Sequence, residues 1–292
     1  MRTLQNQVNH TNCYQDSQVY LYISPLVTEF KVSSPFVSSG GVEVKRGKIK
    51  GFSAKSRMRL IKLLLSLEKP PVVMITLTYP EEWVKDPERW KRDIDTWFKR
   101  VERKFKDYWF VWKLEFQKRG APHFHLLGSF GDDVVVDDEL RAWVSRSWYE
   151  VVNSGDEKHL KAGTRVDVLD GKKKVKMYVC KYVSKEEPLK FGYVGRWWGK
   201  VGNVPSVVKL GVRLQYREAV LVRRILKRWL RSIRVKSSGR RLGYYYWLKK
   251  HFRSSFAVFV DWVTIIRLLK FIVGSCIEFL QVRPVVDYRL IL

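Results

Sequence analysis

Apolar positions change their period several times along the chain, and each change predicts an element. Val72 to Tyr79 (Val-Val-Met-Ile-Thr-Leu-Thr-Tyr) is a short β-rich run closed by Pro80, and it predicts a strand. Asp86-Pro87 then supplies an N-cap with proline at the first helical position, while Trp90, Ile94, Trp97, Phe98, Val101 and Phe105 recur at helical spacing. A helix of about five turns follows from that pattern, with Lys and Arg on its outer face. Two further apolar runs, Trp109 to Phe116 and His123 to Phe130, are separated by Gln-Lys-Arg-Gly-Ala-Pro, and Gly120 there predicts a tight hairpin. Asp137 or Asp138 can cap a helix carrying Leu140, Trp143, Val144 and Trp148. Thr164 to Leu169 alternates as a strand ended by Asp170-Gly171, and Lys174 to Lys185 reads as another helix. The order β-α-β-β-α-β-α predicts an α+β fold: a split β-α-β, ferredoxin-like (RRM-like) antiparallel sheet with helices on one face.

The ends differ from this middle. The first forty residues are rich in Asn, Gln, Ser and Thr and finish in Ser-Ser-Gly-Gly, which suggests a polar N-terminal arm over residues 1–41. Residues 42–204 would form the central domain, and 205–292 a basic, helical C-terminal extension. From Lys209 onward 19 Lys and Arg face 4 Asp and Glu, so the extension favours a polyanionic partner. Phe256 to Leu280 is apolar enough to raise the question of a membrane span. Asp261, Arg267, Lys270 and Glu278 interrupt it, and such charges cost roughly 2.5 to 3.5 kcal/mol each at a bilayer centre. We therefore expect one amphipathic helix there and no stable span.

Composition narrows the partner. The chain of 292 residues has a formal charge of +27, which puts nucleic acid ahead of an acidic membrane surface. Its 12 Trp, 14 Tyr and 15 Phe are interleaved with the cations, the combination that single strands use for stacking and phosphate neutralisation. Cys13, Cys180 and Cys276 are odd in number and lack metal-ligand spacing, so neither a disulfide framework nor a zinc ribbon is expected. The N-terminus has no continuous apolar run behind it and is not expected to be a secretory signal.

Two constellations can carry chemistry. His123-Phe124-His125 lies on a predicted strand, where alternation sends both imidazoles to one face. A hairpin centred near Gly120 would set Glu115 opposite His125 and Gln117 opposite His123, all four on that face. A carboxylate beside two imidazoles is a plausible site for a divalent cation. The second constellation is Tyr178-Val-Cys-Lys181-Tyr182-Val-Ser-Lys185, which on a helix presents Tyr178 and Tyr182 together, as it does Lys181 and Lys185. A phenol has a reference pKa of about 10 and needs a nearby cation or a metal-polarised phosphate to attack usefully. Downstream, Gly195-Arg196-Trp197-Trp198-Gly199 offers a cation and two flat faces for a DNA strand, with core packing as the equal alternative.

A Thr-Leu-Thr-Tyr strand, a His-hydrophobic-His strand preceded by Glu115, and a Tyr-x-x-Lys helix, in that order, resemble the HUH endonuclease superfamily, in its rolling-circle Rep branch. The repeated Tyr-Val-x-Lys pattern is similar to that of the two-tyrosine gene A type proteins of small single-stranded DNA phages. The segment Glu115, Gln117, Arg119 to His123 is similar to phage and plasmid replication proteins. The resemblance covers roughly residues 70 to 200. It implies an endonuclease and strand transferase acting on single-stranded DNA at a replication origin through a 5′-phosphotyrosine. Glu115, His123 and His125 would hold Mg²⁺ or Mn²⁺, Tyr182 would attack first with Tyr178 alternating, and Lys185 and Lys181 would assist. Arg119, Arg196, Trp197 and Trp198 would touch DNA. No Gly-x-x-x-x-Gly-Lys-Ser/Thr loop occurs, so a host helicase and DNA polymerase are expected partners, in the cytoplasm of a bacterial host. A non-catalytic nucleic-acid-binding or replication-control protein and a transposase of the same superfamily are the alternatives.

Overall fold

The structure is a computed structural model that describes residues 18–33, 49, 51–179, 193–232, 234–237, 240–243, 256–258, 260–273 and 279–280. The chain divides into two compact units, Lys45–Ser206 and the pair of segments Met1–Val44 and Val207–Leu292.

The second of these units corrects the expected polar arm. Gln18–Ile23 (β1) and Thr28–Ser33 (β2) pair antiparallel, and β1 also pairs with a later strand, Leu210–Leu214 (β8). Val19, Leu21, Ile23 and Phe30 lie in the core of that sheet, an alternation that the polar flanks of the segment obscure. The unit is therefore a sheet with helices instead of an arm plus a helical tail.

In Lys45–Ser206, α1 (Ala54–Ser66) opens on the cap Ser53, whose hydroxyl accepts from the Ser56 amide. β3 (Val73–Thr78) follows, then α2 (Pro87–Lys104), whose cap Asp86 accepts from the amides of Glu88 and Arg89. β4 (Trp109–Phe116) and β5 (Pro122–Ser129) form the hairpin, α3 (Asp138–Val152) is capped by Asp137, and α4 (Glu157–Ala162) leads into β6 (Thr164–Val168). α5 (Gly171–Tyr178) and β7 (Trp198–Gly202) complete the unit. The strand order is β6-β3-β5-β4-β7, with every pairing antiparallel. The first four strands are thus those of the split β-α-β arrangement, and β7 adds an edge beside β4. The fold is α+β.

The core lies between the sheet and the α2–α3 pair. Trp90, Trp97 and Trp148 are fully buried, and Phe98 and Trp97 meet Phe110 of β4 while Trp148 meets Phe124 of β5 edge-on. Burying each such side chain contributes on the order of 1.5–3 kcal/mol. Trp97 Nε1 donates to Ser147 Oγ at 2.9 Å, which pins α2 to α3. Because Phe110, Trp112, Leu114 and Phe124 face these helices, strand alternation turns Lys113, Glu115, His123 and His125 to the opposite face.

In the other unit, after β8 come α6 (Tyr216–Ser232), a two-stranded β9 (Arg234–Ser237) and β10 (Arg240–Gly243), β11 (Phe256–Val258), α7 (Trp262–Val273) and β12 (Phe279–Leu280). The five-stranded sheet runs β11-β2-β1-β8-β12, and Val222 and Leu226 of α6 with Ile265 and Leu269 of α7 share its core. The apolar stretch from Phe256 to Leu280 is therefore not one helix but a strand, a 12-residue helix and a strand. Among the described residues no helix is long and apolar enough to cross a membrane.

Candidate active site

The hairpin sets the site. Phe116 pairs with Pro122, so five residues make the turn, and Gly120 takes φ +91°, a left-handed value that a side chain would strain. Glu115 consequently faces His123 and Lys113 faces His125, which corrects the expected register by two residues. A shift of two preserves the face, because side-chain direction has a period of two. The error came from centring the turn on Gly120. The Gln117–Ala121 closure centres it one residue earlier.

The polar groups converge on that face. Glu115 Oε2 lies 3.3 Å from His125 Nε2 and 3.4 Å from Lys113 Nζ, and all three side chains are buried. The two imidazole centroids are 4.4 Å apart. β3 contributes the alternating threonines of Thr-Leu-Thr: Thr76 Oγ1 is 3.2 Å from His125 Nδ1, and Thr78 Oγ1 is 3.2 Å from His123 Nδ1. If Nδ1–H donates to each threonine, both Nε2 atoms carry the lone pair, the tautomer that metal-binding histidines are held in by such partners. Gln117 Nε2 approaches His123 Nδ1 at 3.4 Å.

Two observations bear on whether this set suits a divalent ion. The 3.3 Å between His125 Nε2 and Glu115 Oε2 is close to the ~3 Å between ligands each ~2.1 Å from one ion at right angles. The donor chemistry, two imidazoles and a carboxylate, also fits. Against this, Lys113 places an ammonium on the same carboxylate oxygen, and among the described residues no three His, Cys, Asp or Glu side chains form a ready metal cluster.

A buried layer braces the end of β3. His159 Nε2 and Trp148 Nε1 both donate to the carbonyl of Thr78, each at 2.8 Å, and Ser154 Oγ meets His159 Nδ1 at 2.9 Å. Burial holds the His159 pKa below its ordinary value, with the Thr78 carbonyl opposing it. Next along the chain, Tyr79 donates to Asp93, which also accepts from Arg89, and burial pushes both the phenol and the carboxyl upward. Sequence reasoning passed over Lys113, Thr76, Thr78 and His159 as individuals. The signal for the first three was alternation on strands flanking the His pair, whereas His159 carries no local signal.

The remaining predicted residues divide. Arg119 does not reach outward: its guanidinium donates to the carbonyls of Tyr79, Pro80 and Glu81 and to Gln117 Oε1, and it lies 4.9 Å over the Trp83 ring. It ties the hairpin turn to the loop after β3, so we correct its assignment from DNA contact to loop clamp. Trp197 is likewise corrected, since it is 3% exposed and stacks on Phe52. Trp198 is half-buried, faces Lys113 across β7 and β4, and donates from Nε1 to Ser56 Oγ at 2.9 Å. Arg196 has an exposed side chain, and its carbonyl accepts from Lys91 Nζ at 2.6 Å. Burial beside Trp112 lowers the Lys91 pKa to about 7. Gly199 passes so close to Trp112 that a Cβ would stand 2.8 Å from its indole, which fixes glycine there. Tyr178 ends α5, half-buried. Tyr182, Lys181 and Lys185 lie outside the described residues.

Residues 72–187 match the model of a family of phage-type replication-associated proteins, the ORF2 family. The chain is similar to a phage replication protein. Over 137 residues it is 29% identical to a replication-associated protein of Pseudomonas phage Pf3, covering 44% of this chain and 48% of that protein. The match thus spans about half the length of this relative. No solved structure matches the chain. The matched segment contains Glu115, His123, His125, Tyr178 and Tyr182 and stops before Arg196, Trp197 and Trp198.

Proposed function

We propose that the chain is a rolling-circle replication initiator that nicks and rejoins single-stranded DNA at an origin through a tyrosine. The observation that carries this reading is the convergence of Glu115, His123 and His125 on one sheet face, inside the segment similar to a phage replication protein.

In this reading Glu115, His123 and His125 hold a Mg²⁺ or Mn²⁺ ion. When bound, the ion supplies polarisation of the scissile phosphate and offsets charge that develops on its oxygens. Thr76 and Thr78 hold the imidazole rings in orientation, and His159 and Trp148 hold the end of β3 that carries Thr78. The Tyr182 phenol forms an O–P bond as the bond from phosphorus to the 3′ oxygen breaks. The phenolic proton is lost and the departing 3′ oxygen gains one, so the balance is unchanged. A 5′-phosphotyrosine and a 3′-hydroxyl result; a host polymerase would extend the hydroxyl, with a host helicase opening the duplex. Tyr178 would serve the alternate round, and Lys185 and Lys181 would neutralise phosphate near the phenol.

A second reading, a nucleic-acid-binding replication protein without nicking, is favoured by Lys113. Its ammonium stands on the Glu115 carboxylate where the first reading needs a cation. One experiment separates them. A 3′-labelled origin oligonucleotide should acquire a covalent protein adduct on denaturing gels, sensitive to chelator and absent in Tyr182→Phe, which still binds the strand. Loss of the adduct in Tyr178→Phe but not in Tyr182→Phe would reverse the order of the tyrosines. No adduct under any metal, with strand binding intact, would establish the second reading.

A further inference from the structure

The face of Lys45–Ser206 away from the imidazoles has chemistry of its own. Arg100, Arg103 and Lys104 of α2 and Trp143, Arg146 and Glu150 of α3 line one cleft of about 450 Å³. Helical spacing gathers them, since positions three and four apart share a side of each helix. Four cations therefore crowd a concave surface with one carboxylate among them, an arrangement that raises the local positive potential.

The existing partners do not neutralise it. Arg100 takes Glu150 at 2.5 Å, and Lys104 Nζ lies 5.7 Å over the Trp143 ring. Arg103 and Arg146 make no ion pair among the described residues. The last-turn position of Arg103 and Lys104 complements the α2 dipole, but that accounts for neither Arg146 nor the cleft. Guanidinium groups match phosphate oxygens with two parallel hydrogen bonds, and an indole wall suits the flat face of a base.

We propose that this cleft binds the phosphodiester backbone of single-stranded DNA, with Arg103 and Arg146 as the main phosphate contacts and Trp143 as the apolar wall. α2 and α3 cover the sheet face carrying Phe110 and Phe124, so the tract held here is not the one at His123 and His125 but a second stretch of the strand. The choice of DNA as the polyanion rests on the proposed function. The binding itself is independent of nicking and is read without it.

The test uses the full chain and a fluorescein-labelled oligo(dT) longer than the ~4–16 nucleotides of a single-strand site. Arg103→Ala/Arg146→Ala is compared with Lys158→Ala/Lys161→Ala, which removes two exposed cations from α4 outside the cleft. Losing two phosphate contacts lowers the slope of log affinity against log salt by about 1.4 on single strands. A rise from about 50 to about 200 mM salt then costs the wild type about sevenfold more affinity than the cleft variant. The α4 pair should leave the slope as in the wild type, and both variants should melt as the wild type does. Equal slopes in the wild type and the cleft variant would overturn the proposal, as would an equal loss in both variants, which would mean diffuse surface charge. Displacement of the oligonucleotide from the wild type, but not from the cleft variant, by dTMP at matched phosphate concentration would make this a mononucleotide site and overturn the strand assignment. So would the same displacement by a polyglutamate peptide, which would mark an acidic-protein dock. If nicking fails but the slope difference holds, this inference stands and the catalytic reading falls.

Discussion

Glu115 faces His123 across the β4–β5 hairpin, yet its carboxylate reaches diagonally to His125, with Oε2 3.3 Å from Nε2. Diagonal neighbours on antiparallel strands are within reach of long side chains, so one carboxylate can serve both imidazoles. Lys113, directly opposite His125, competes for the same oxygen at 3.4 Å.

That relationship makes cation binding measurable. Mn²⁺ at about 100 times its Kd should stabilise the fold by about 2.7 kcal/mol through mass action. Glu115→Gln keeps the shape and removes the charge, so most of that thermal shift should vanish at the same concentration. Lys113→Met removes the competing ammonium and should tighten Mn²⁺ about tenfold, or about 1.4 kcal/mol. A full shift in Glu115→Gln would place the ion elsewhere.

His159 should make stability depend on pH. Its folded pKa is lowered, first by burial, so between that value and the unfolded value of about 6.5 the unfolded chain binds more protons. Its contribution is thus present above about pH 6.5 and is lost as pH falls through the lower folded value. Urea midpoints should drop from pH 7 toward pH 5, with a shallower drop in His159→Gln, whose amide can still donate to the Thr78 carbonyl. An identical slope in the two proteins would remove His159 from the account.

Arg119→Ala should destabilise by about 1–3 kcal/mol, because the loop after β3 loses a charged donor to three carbonyls. Amide exchange should rise across Tyr79 to Trp83 and in the hairpin turn. Weakened DNA binding with unchanged melting and exchange would instead restore Arg119 to the DNA-contacting group.

The Arg196-Trp197 pair separates core from surface. Trp197→Ala should cost about 3–5 kcal/mol, as for a buried large aromatic, whereas Arg196→Ala should stay within about 0.5 kcal/mol. If Arg196 touches the strand, its substitution lowers affinity for oligo(dT) while the melting curve is unchanged, and equal affinity would exclude it.

Much of the central unit was legible because its signals are local. Asp86-Pro87 caps α2, Asp137 caps α3, and β4 runs over Trp109–Phe116 as its apolar run predicts. β1 and β2 were missed because their short apolar alternation sits between polar flanks, and only pairing with β8 makes them a sheet. α1 was missed although Ser53 and the Leu60, Ile61, Leu64, Leu65 spacing mark it.

By itself the sequence determined which residues could share a face: the His-x-His alternation, the glutamate on the preceding strand, and helical faces of Trp, Arg and Lys, all set by backbone periods of 2.0 and 3.6. Tertiary structure decided what those faces meet. It chose the hairpin register, brought Thr76 and Thr78 to the imidazoles, put Lys113 on Glu115, and drew Arg119 and Trp197 inward while gathering Arg103 and Arg146 around one cleft. Those outcomes depend on contacts between segments far apart in the chain, and no local period encodes them.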